Sequence, residues 1–283
     1  MIWACPVCVD PLTLVERTLR CANNHCFDLA KEGYSNLLLA NQKNSKQPGD
    51  SKIMLRARRD FLQAGFYQPL ANQIVELIRP YVSAHSQFLD CGCGEGYYSE
   101  QVYKALQPSI SGIDIARDGV RLAAKRFKTL TLNSQSPANF AVASSFHLPL
   151  PSHQLDAVLQ VFAPVSEPEL LRVLKPRGVY CDVSPGPKHF TQLKQKLYRQ
   201  ARDHEAPAIA PGFTLLAEER ICFDIELNNN RDLQNLLMMT PLYWKGSIEA
   251  KAELMAMDAF TLTIDFVLRL YRPAGTGAVD DEL

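Results

Sequence analysis

The sequence predicts an α/β fold, a mostly parallel sheet flanked by helices and preceded by a small metal-stabilised module. Three observations predict it. From residue 87, short apolar runs alternate with helical stretches, the rhythm of βαβ units. One run leads into "LDCGCGEGYYSE", residues 89–100, whose glycines lie between a strand and a helix. Of the eight cysteines, Cys5, Cys8, Cys21 and Cys26 crowd into the first 26 residues.

Those N-terminal cysteines come first. "CPVC" and "CANNH" give Cys-x2-Cys, a gap of 12 residues, then Cys-x3-His. Each short pair lets two side chains grip one ion from a tight turn, and the gap fits a small hairpin. Three thiolates and one imidazole, Cys5, Cys8, Cys21 and His25, suit tetrahedral zinc with no position left open for water. The zinc is therefore expected to be structural. A segment of about 40 residues buries too little to fold alone, which gives the metal its reason. Cys26 competes with His25 as fourth ligand; Cys-x3-His, with Phe27 packing behind, is preferred.

The polar stretch 41–51, "NQKNSKQPGDS", reads as a linker. Asp50 or Ser51 then caps a helix that stops at Gly65. A second helix, opened by Pro69, carries Leu70, Ile74, Leu77 and Ile78 on one face.

The glycine loop follows a strand ending at Asp90 and opens a helix near Tyr97 or Tyr98. Its spacing, Asp90, Gly92, Gly94, Gly96, differs from the Gly-x-Gly-x-x-Gly of dinucleotide sites. An acid at the loop entrance repels a pyrophosphate but welcomes a ligand carrying ammonium and sulfonium groups. Asp114, ending the next strand, is placed to accept hydrogen bonds from ribose hydroxyls. The loop is expected to hold S-adenosylmethionine. Cys91 and Cys93, one residue apart with no further ligands nearby, read as small loop residues and not as a metal or redox pair.

Further along, "NFAVA", "LDAVLQV" and "GVYCDVS" are strands, with "ARDGVRLAAKRF" a helix among them. "AEERICFDIEL" and "AFTLTIDFVLRLY" are long strands separated by a helix, "RDLQNLLMM", that stops before Pro241. The loop, Asp114 and the two closing strands resemble the class I S-adenosylmethionine-dependent methyltransferases. That resemblance implies a seven-stranded, Rossmann-like sheet with one antiparallel strand near the C-terminus. It also implies that Ala143 and Ser144 border the adenine and that the strand ending near Val161 points at the transfer site.

Composition narrows the setting. No run of about 18 apolar residues exists, so no membrane-spanning helix is expected. "MIWACPVCVD" lacks the features of a signal peptide, so the cytoplasm is the expected compartment. There, eight cysteines imply metal or free thiols. A net charge of zero leaves a nucleic-acid partner open, because distribution decides. Lys46, Arg58 and Arg59 in one basic stretch, and Lys194 in another, are candidates for an RNA backbone. Phe162, in "VFAP", is the natural base-stacking residue, with Tyr243 and Trp244 as others. "VFAP" is not the turn used for exocyclic amines, and no cysteine nucleophile lies near it for carbon-5 methylation. A ring nitrogen or an oxygen remains as acceptor.

The whole arrangement is similar to the bacterial 23S ribosomal RNA guanine-N1 methyltransferases. "CPVC…CANNHCFDLAKEGYSNLL", "PGDS", "ARRDFL", "YQPL", "LDCGCGEGYYS", "VASS", "KPRGV", "SPGPKH" and "MTPLYW" carry the similarity. It implies a guanine in the hairpin 35 loop, nucleotide 745, as target and a homodimer as the working form. It implies zinc on Cys5, Cys8, Cys21 and His25. It adds Tyr67, Tyr98, Ser99 and His189 to the cofactor contacts Asp90, Gly92, Cys93, Gly94, Gly96, Asp114 and Ser144. The expected organisation is an RNA-recognition zinc domain over 1–40, a linker over 41–51, a methyltransferase domain over 52–273, and a tail over 274–283. No catalytic base is assigned; Asp182 and His147 are weak candidates. Two rivals stay open, a small-molecule methyltransferase of the quinone-pathway kind and a non-catalytic zinc- and RNA-binding protein.

Overall fold

The computed structural model describes residues 2–43, 49–131, 138–197, 208–240 and 247–275. Three short strands, β1 (Thr13–Val15), β2 (Thr18–Arg20) and β3 (Cys26–Asp28), pair antiparallel in the N-terminal module. Next, β4 (Ser35–Asn36) leaves that module to join the large sheet. Helices α1 (Lys52–Gln63) and α2 (Gln68–Ile78) follow. Ser51 is the cap, its Oγ accepting the Met54 N–H at 3.3 Å. Gly65, at φ 88, takes the left-handed turn behind α1. The inward face of α2 is the one its spacing predicts, with Leu70, Ile74, Leu77 and Ile78 buried.

The alternating region runs β5 (Gln87–Cys91), α3 (Tyr97–Leu106), β6 (Ser109–Asp114), α4 (Arg117–Leu130) and β7 (Ala138–Val142). It continues with β8 (Leu155–Val161), α5 (Glu167–Val173), β9 (Leu174–Pro185) and α6 (Thr191–Leu197). The last elements are β10 (Phe213–Leu227), α7 (Asn230–Met238), α8 (Ile248–Met255) and β11 (Phe260–Pro273).

The sheet order is β10-β11-β9-β8-β5-β6-β7-β4. Strands β5 to β9 pair in parallel, and β11 is antiparallel to both of its neighbours. Strands β5 to β11 are thus the seven expected of a class I methyltransferase. An eighth was not expected: β4 pairs in parallel with β7, because the Leu37 N–H reaching Val142 O at 2.9 Å draws the end of the module onto the sheet edge. From β5 the chain first builds outward through β6 and β7, then returns to add β8 on the other side. The carboxyl ends of β5 and β8 therefore flank a crevice, the usual ligand position in such sheets.

Alternate side chains of each strand enter two different cores. Phe88, Leu159, Val183 and Phe266 join residues of α1 to α4 in one. Leu89, Cys91, Ile113, Val158 and Tyr180 join Trp3, Cys5, Leu12, Leu19, Cys21 and Leu37 in the other. The N-terminal module is therefore seated on the sheet, and an Ala4 N–H to Pro149 O bond of 2.9 Å ties it there. No helix among the described residues is long and apolar enough to cross a membrane.

Candidate metal and cofactor sites

Two tight turns build the metal cluster. Val9 N–H closes onto Cys5 O at 2.8 Å, and Asn24 N–H onto Cys21 O at 3.0 Å. Asn24 sits at φ 61, a conformation that asparagine tolerates better than most residues. Between the turns, Asn23 donates to the Asp10 carboxylate at 2.6 Å. The ligand atoms of Cys5, Cys8, Cys21 and His25 then lie within 4.8 Å of one another. His25 Nδ1 is 3.5 Å from the Cys5 sulfur and 3.4 Å from the Cys21 sulfur, and the Cys8 and Cys21 sulfurs are 3.6 Å apart. Tetrahedral zinc, with bonds of about 2.0–2.3 Å, sets its ligands roughly 3.5–3.8 Å apart. The donor set fits the ion. Cys26 stays outside it, exposed, with its thiol on Asn24 O at 3.3 Å.

At the crevice, Gly92 has φ 85, and a Cβ there would collide with Ala163. Only glycine fits that turn. Asp114 shapes the loop, its carboxylate accepting the Gly94 N–H at 2.9 Å and the Ala116 N–H at 2.7 Å. Asp90 is buried and accepts the Ser99 hydroxyl. Burial pushes Asp90 up to about 7, with the charges of Asp114 and Glu95 adding and the Ser99 hydrogen bond opposing. Beside them the Tyr98 hydroxyl is buried without a hydrogen-bond partner among the described residues. A buried carboxylate short of a cation and an unpartnered hydroxyl suit a ligand bearing ammonium and sulfonium charge. The residues fit S-adenosylmethionine.

Other expected contacts divide. Tyr67 is buried, edge-on to Phe266 at 5.1 Å, and Ser144, buried, accepts the Phe146 N–H at 3.2 Å. Cys93 is buried at the loop, and its own amide goes to Ile113 O at 2.9 Å. Cys91 belongs to the opposite core. Burial raises both thiols, so both stay protonated.

Past β8, Phe162 is 45% exposed at φ 55, a strain of about 1–3 kcal/mol that clusters at working sites. Its ring centroid is 5.3 Å from Phe266 and 6.4 Å from His189, which itself lies 4.8 Å from Phe266. His189 Nδ1 accepts the Asp265 N–H at 3.3 Å, which puts the ring hydrogen on Nε2. Asp265 is buried, yet two 2.7 Å bonds from Arg220 and one from the Lys188 N–H outweigh that burial and hold its carboxyl below the usual range. Neither weak base candidate joins this group. Asp182 alternates with Cys181 and Val183, which face Phe266, so its side chain leaves on the other face. Burial raises it to about 6, with Arg269 opposing. His147 pairs with Ser144 in an isolated bridge, beside Glu169.

Two of the RNA-backbone candidates, Arg58 and Lys194, need correction. Arg58 is turned inward, paired with Asp50 and donating to Met239 O at 3.3 Å. Lys194 is buried, 6% exposed, because it falls on the side of α6 that packs inward with Leu193 and Leu197. Arg59 stays partly exposed while pairing with Asp60 at 3.1 Å. Lys46, Tyr243 and Trp244 lie outside the described residues. Sequence reasoning missed Phe266 and Arg58 at the crevice; Phe266 carried no local signal, and Arg58 was hidden among other basic residues.

Comparison with known proteins gives matching results along the chain. Residues 3–46 match a zinc-ribbon family described as "RlmA, N-terminal", and residues 88–178 match a methyltransferase domain. A Streptomyces fradiae protein named 23S rRNA (guanine(748)-N(1))-methyltransferase is 31% identical over 277 residues, 93% of this chain and 95% of that one. The Bacillus subtilis (strain 168) protein YxjB is 30% identical over 277 residues, 93% of this chain and 94% of that one.

Proposed function

The chain belongs to the 23S ribosomal RNA guanine-N1 methyltransferases, and on that premise we propose that it methylates N1 of a guanine in large-subunit RNA with S-adenosylmethionine. One observation carries this reading: the four-donor cluster and the acid–glycine loop stand in one chain, and Cys5 and Cys21 pack in one core with Leu89 and Cys91 of the strand that leads into the loop.

Cys5, Cys8, Cys21 and His25 hold zinc, which stabilises a module for RNA over residues 1–40. Residues 41–51 link it to the methyltransferase domain over 52–273; of the expected tail over 274–283, residues 276–283 lie outside the described residues. The cofactor supplies an electrophilic methyl group on a sulfonium. Asp90, held by Ser99, faces its positive charge; Asp114 serves the ribose, and Ser144 the adenine. Tyr67 and Tyr98 close the same crevice. Phe162, exposed and backed by the fully buried Phe266, offers an apolar face for a flipped base, stacking being worth about 1–3 kcal/mol per base. His189, its Nδ1 held by the Asp265 N–H, stands with the cofactor contacts. The Asp265 carboxylate is taken by Arg220 and the Lys188 amide, so it is not the base that removes the N1 proton. Alignment of N1 with the methyl group supplies the main effect, and water takes the proton.

The same reading extends to a cytoplasmic homodimer. The target is the guanine at 745; the Streptomyces fradiae relative's name carries 748. The test is methyl transfer to large-subunit RNA from cells lacking the enzyme, followed by nucleoside and fragment mass analysis. One-methylguanosine in the fragment holding 745 is expected. Absence of any methylated guanine overturns the function, and modification at 748 alone overturns the position.

A further inference from the structure

Arg58 stands in a basic stretch of sequence, yet its guanidinium lies over the glycine loop. A Cβ on Gly94 would be 4.0 Å from Arg58 Nη1. Its charge bears on Tyr67, Tyr98, Glu95 and Asp114, all of them around the crevice. We propose that Arg58 binds the α-carboxylate at the methionyl end of S-adenosylmethionine, an assignment that rests on the cofactor reading above.

The argument is one of charge. The cofactor carries an ammonium and a sulfonium, which suit the acids of this crevice, and also a carboxylate, which does not. Asp90, Glu95 and Asp114 all sit at the loop, and each repels that carboxylate. A cation offsets that repulsion. Arg126 is committed to both Glu95 and Glu100, and Arg117 is turned to the Tyr34 hydroxyl at 3.1 Å. Arg58 has capacity left: its guanidinium has five N–H donors, and its bonds run to Asp50 and to Met239 O.

The surroundings hold it ready. Asp50 follows Gly49, whose φ of 82 lets the backbone lie against Ala116, where a Cβ would come within 2.7 Å of the Ala116 side chain. Asp50 is thereby fixed beside the end of β6, close enough for its charge to raise Asp114. From there it orients the guanidinium toward the loop, and Met239 O holds the other side. A planar cation fixed at two points suits a carboxylate.

The test compares two ligands by calorimetry. S-adenosylhomocysteine keeps the amino-acid end; 5′-methylthioadenosine keeps the nucleoside and thioether but lacks it. Arg58→Met should weaken S-adenosylhomocysteine about 10- to 100-fold. Binding of 5′-methylthioadenosine should stay within about two-fold, which also shows that the variant is folded. Equal loss for both ligands, or no loss for either, overturns the assignment. Should Arg58→Met fail to fold, Arg58→Lys carries the test, with a several-fold loss confined to S-adenosylhomocysteine. Wild-type protein that binds neither ligand sinks the cofactor reading itself, a different failure.

Discussion

Cysteine stands in two regions of this molecule, and the surroundings of the sulfur separate them. In the N-terminal module, two turns fold back so that Cys5, Cys8 and Cys21 converge on His25. In the glycine loop, Cys91 and Cys93 are closer in sequence than any of those, yet the strand end and the turn at Gly92 send them into opposite cores. Convergence makes a metal site; divergence into apolar surroundings makes a neutral, small packing residue. Sequence proximity of thiols is thus a poor guide unless the backbone between them turns.

The largest expected effect lies on the metal side. Cys21→Ser should lower zinc from about one per chain to near none, and the module should unfold, since structural zinc contributes about 10 kcal/mol or more in such modules. Metal analysis and the emission of Trp3, buried here at 2% exposure, follow both events. Cys91→Ser should leave the zinc in place. The reverse result would dissolve the contrast between the two regions.

Next comes the loop. Gly92→Ala forces a side chain into a left-handed turn and against Ala163, a cost of about 2 kcal/mol or more. Cofactor binding by calorimetry should be lost while zinc content holds. Asp114→Ala should then weaken S-adenosylmethionine by about 1–3 kcal/mol. Unchanged affinity would remove Asp114 from the site.

Acidity sharpens the contrast further. Asp90 is raised to about 7 by burial, against 3.8 in the open chain. A bound cationic ligand favours the carboxylate, so binding below pH 7 must expel a proton. Affinity should therefore fall as pH drops below 7, by at most about tenfold per unit, and Asp90→Asn should flatten the profile. Stability moves oppositely. The folded state holds this proton longer than the unfolded chain, so the contribution present below about pH 4 is lost as pH rises through 7. A melting series that shows no such slope, and no change in Asp90→Asn, would contradict the burial argument. The smallest effect belongs to Cys26→Ser, exposed and outside the cluster. Zinc content should not change, and stability should stay within about 0.5 kcal/mol.

What was legible in the sequence was local. The two cysteine knuckles and the alternation of strand and helix depend on spacings of a few residues, and so do the Ser51 cap and the glycine turn. Tertiary structure decided whatever depends on distant partners. The added edge strand β4 exists because Ser35 and Asn36 meet β7 about a hundred residues later. The exposed Phe162 comes to rest against the buried Phe266 and His189 because β11 runs antiparallel beside β9. Arg58 and Lys194 looked alike as positive charges, but a helix turns about 100° per residue, so a basic run in sequence scatters around its axis. Which of those directions meets solvent, and which meets Met239 O 181 residues away, is settled only when the chain closes on itself.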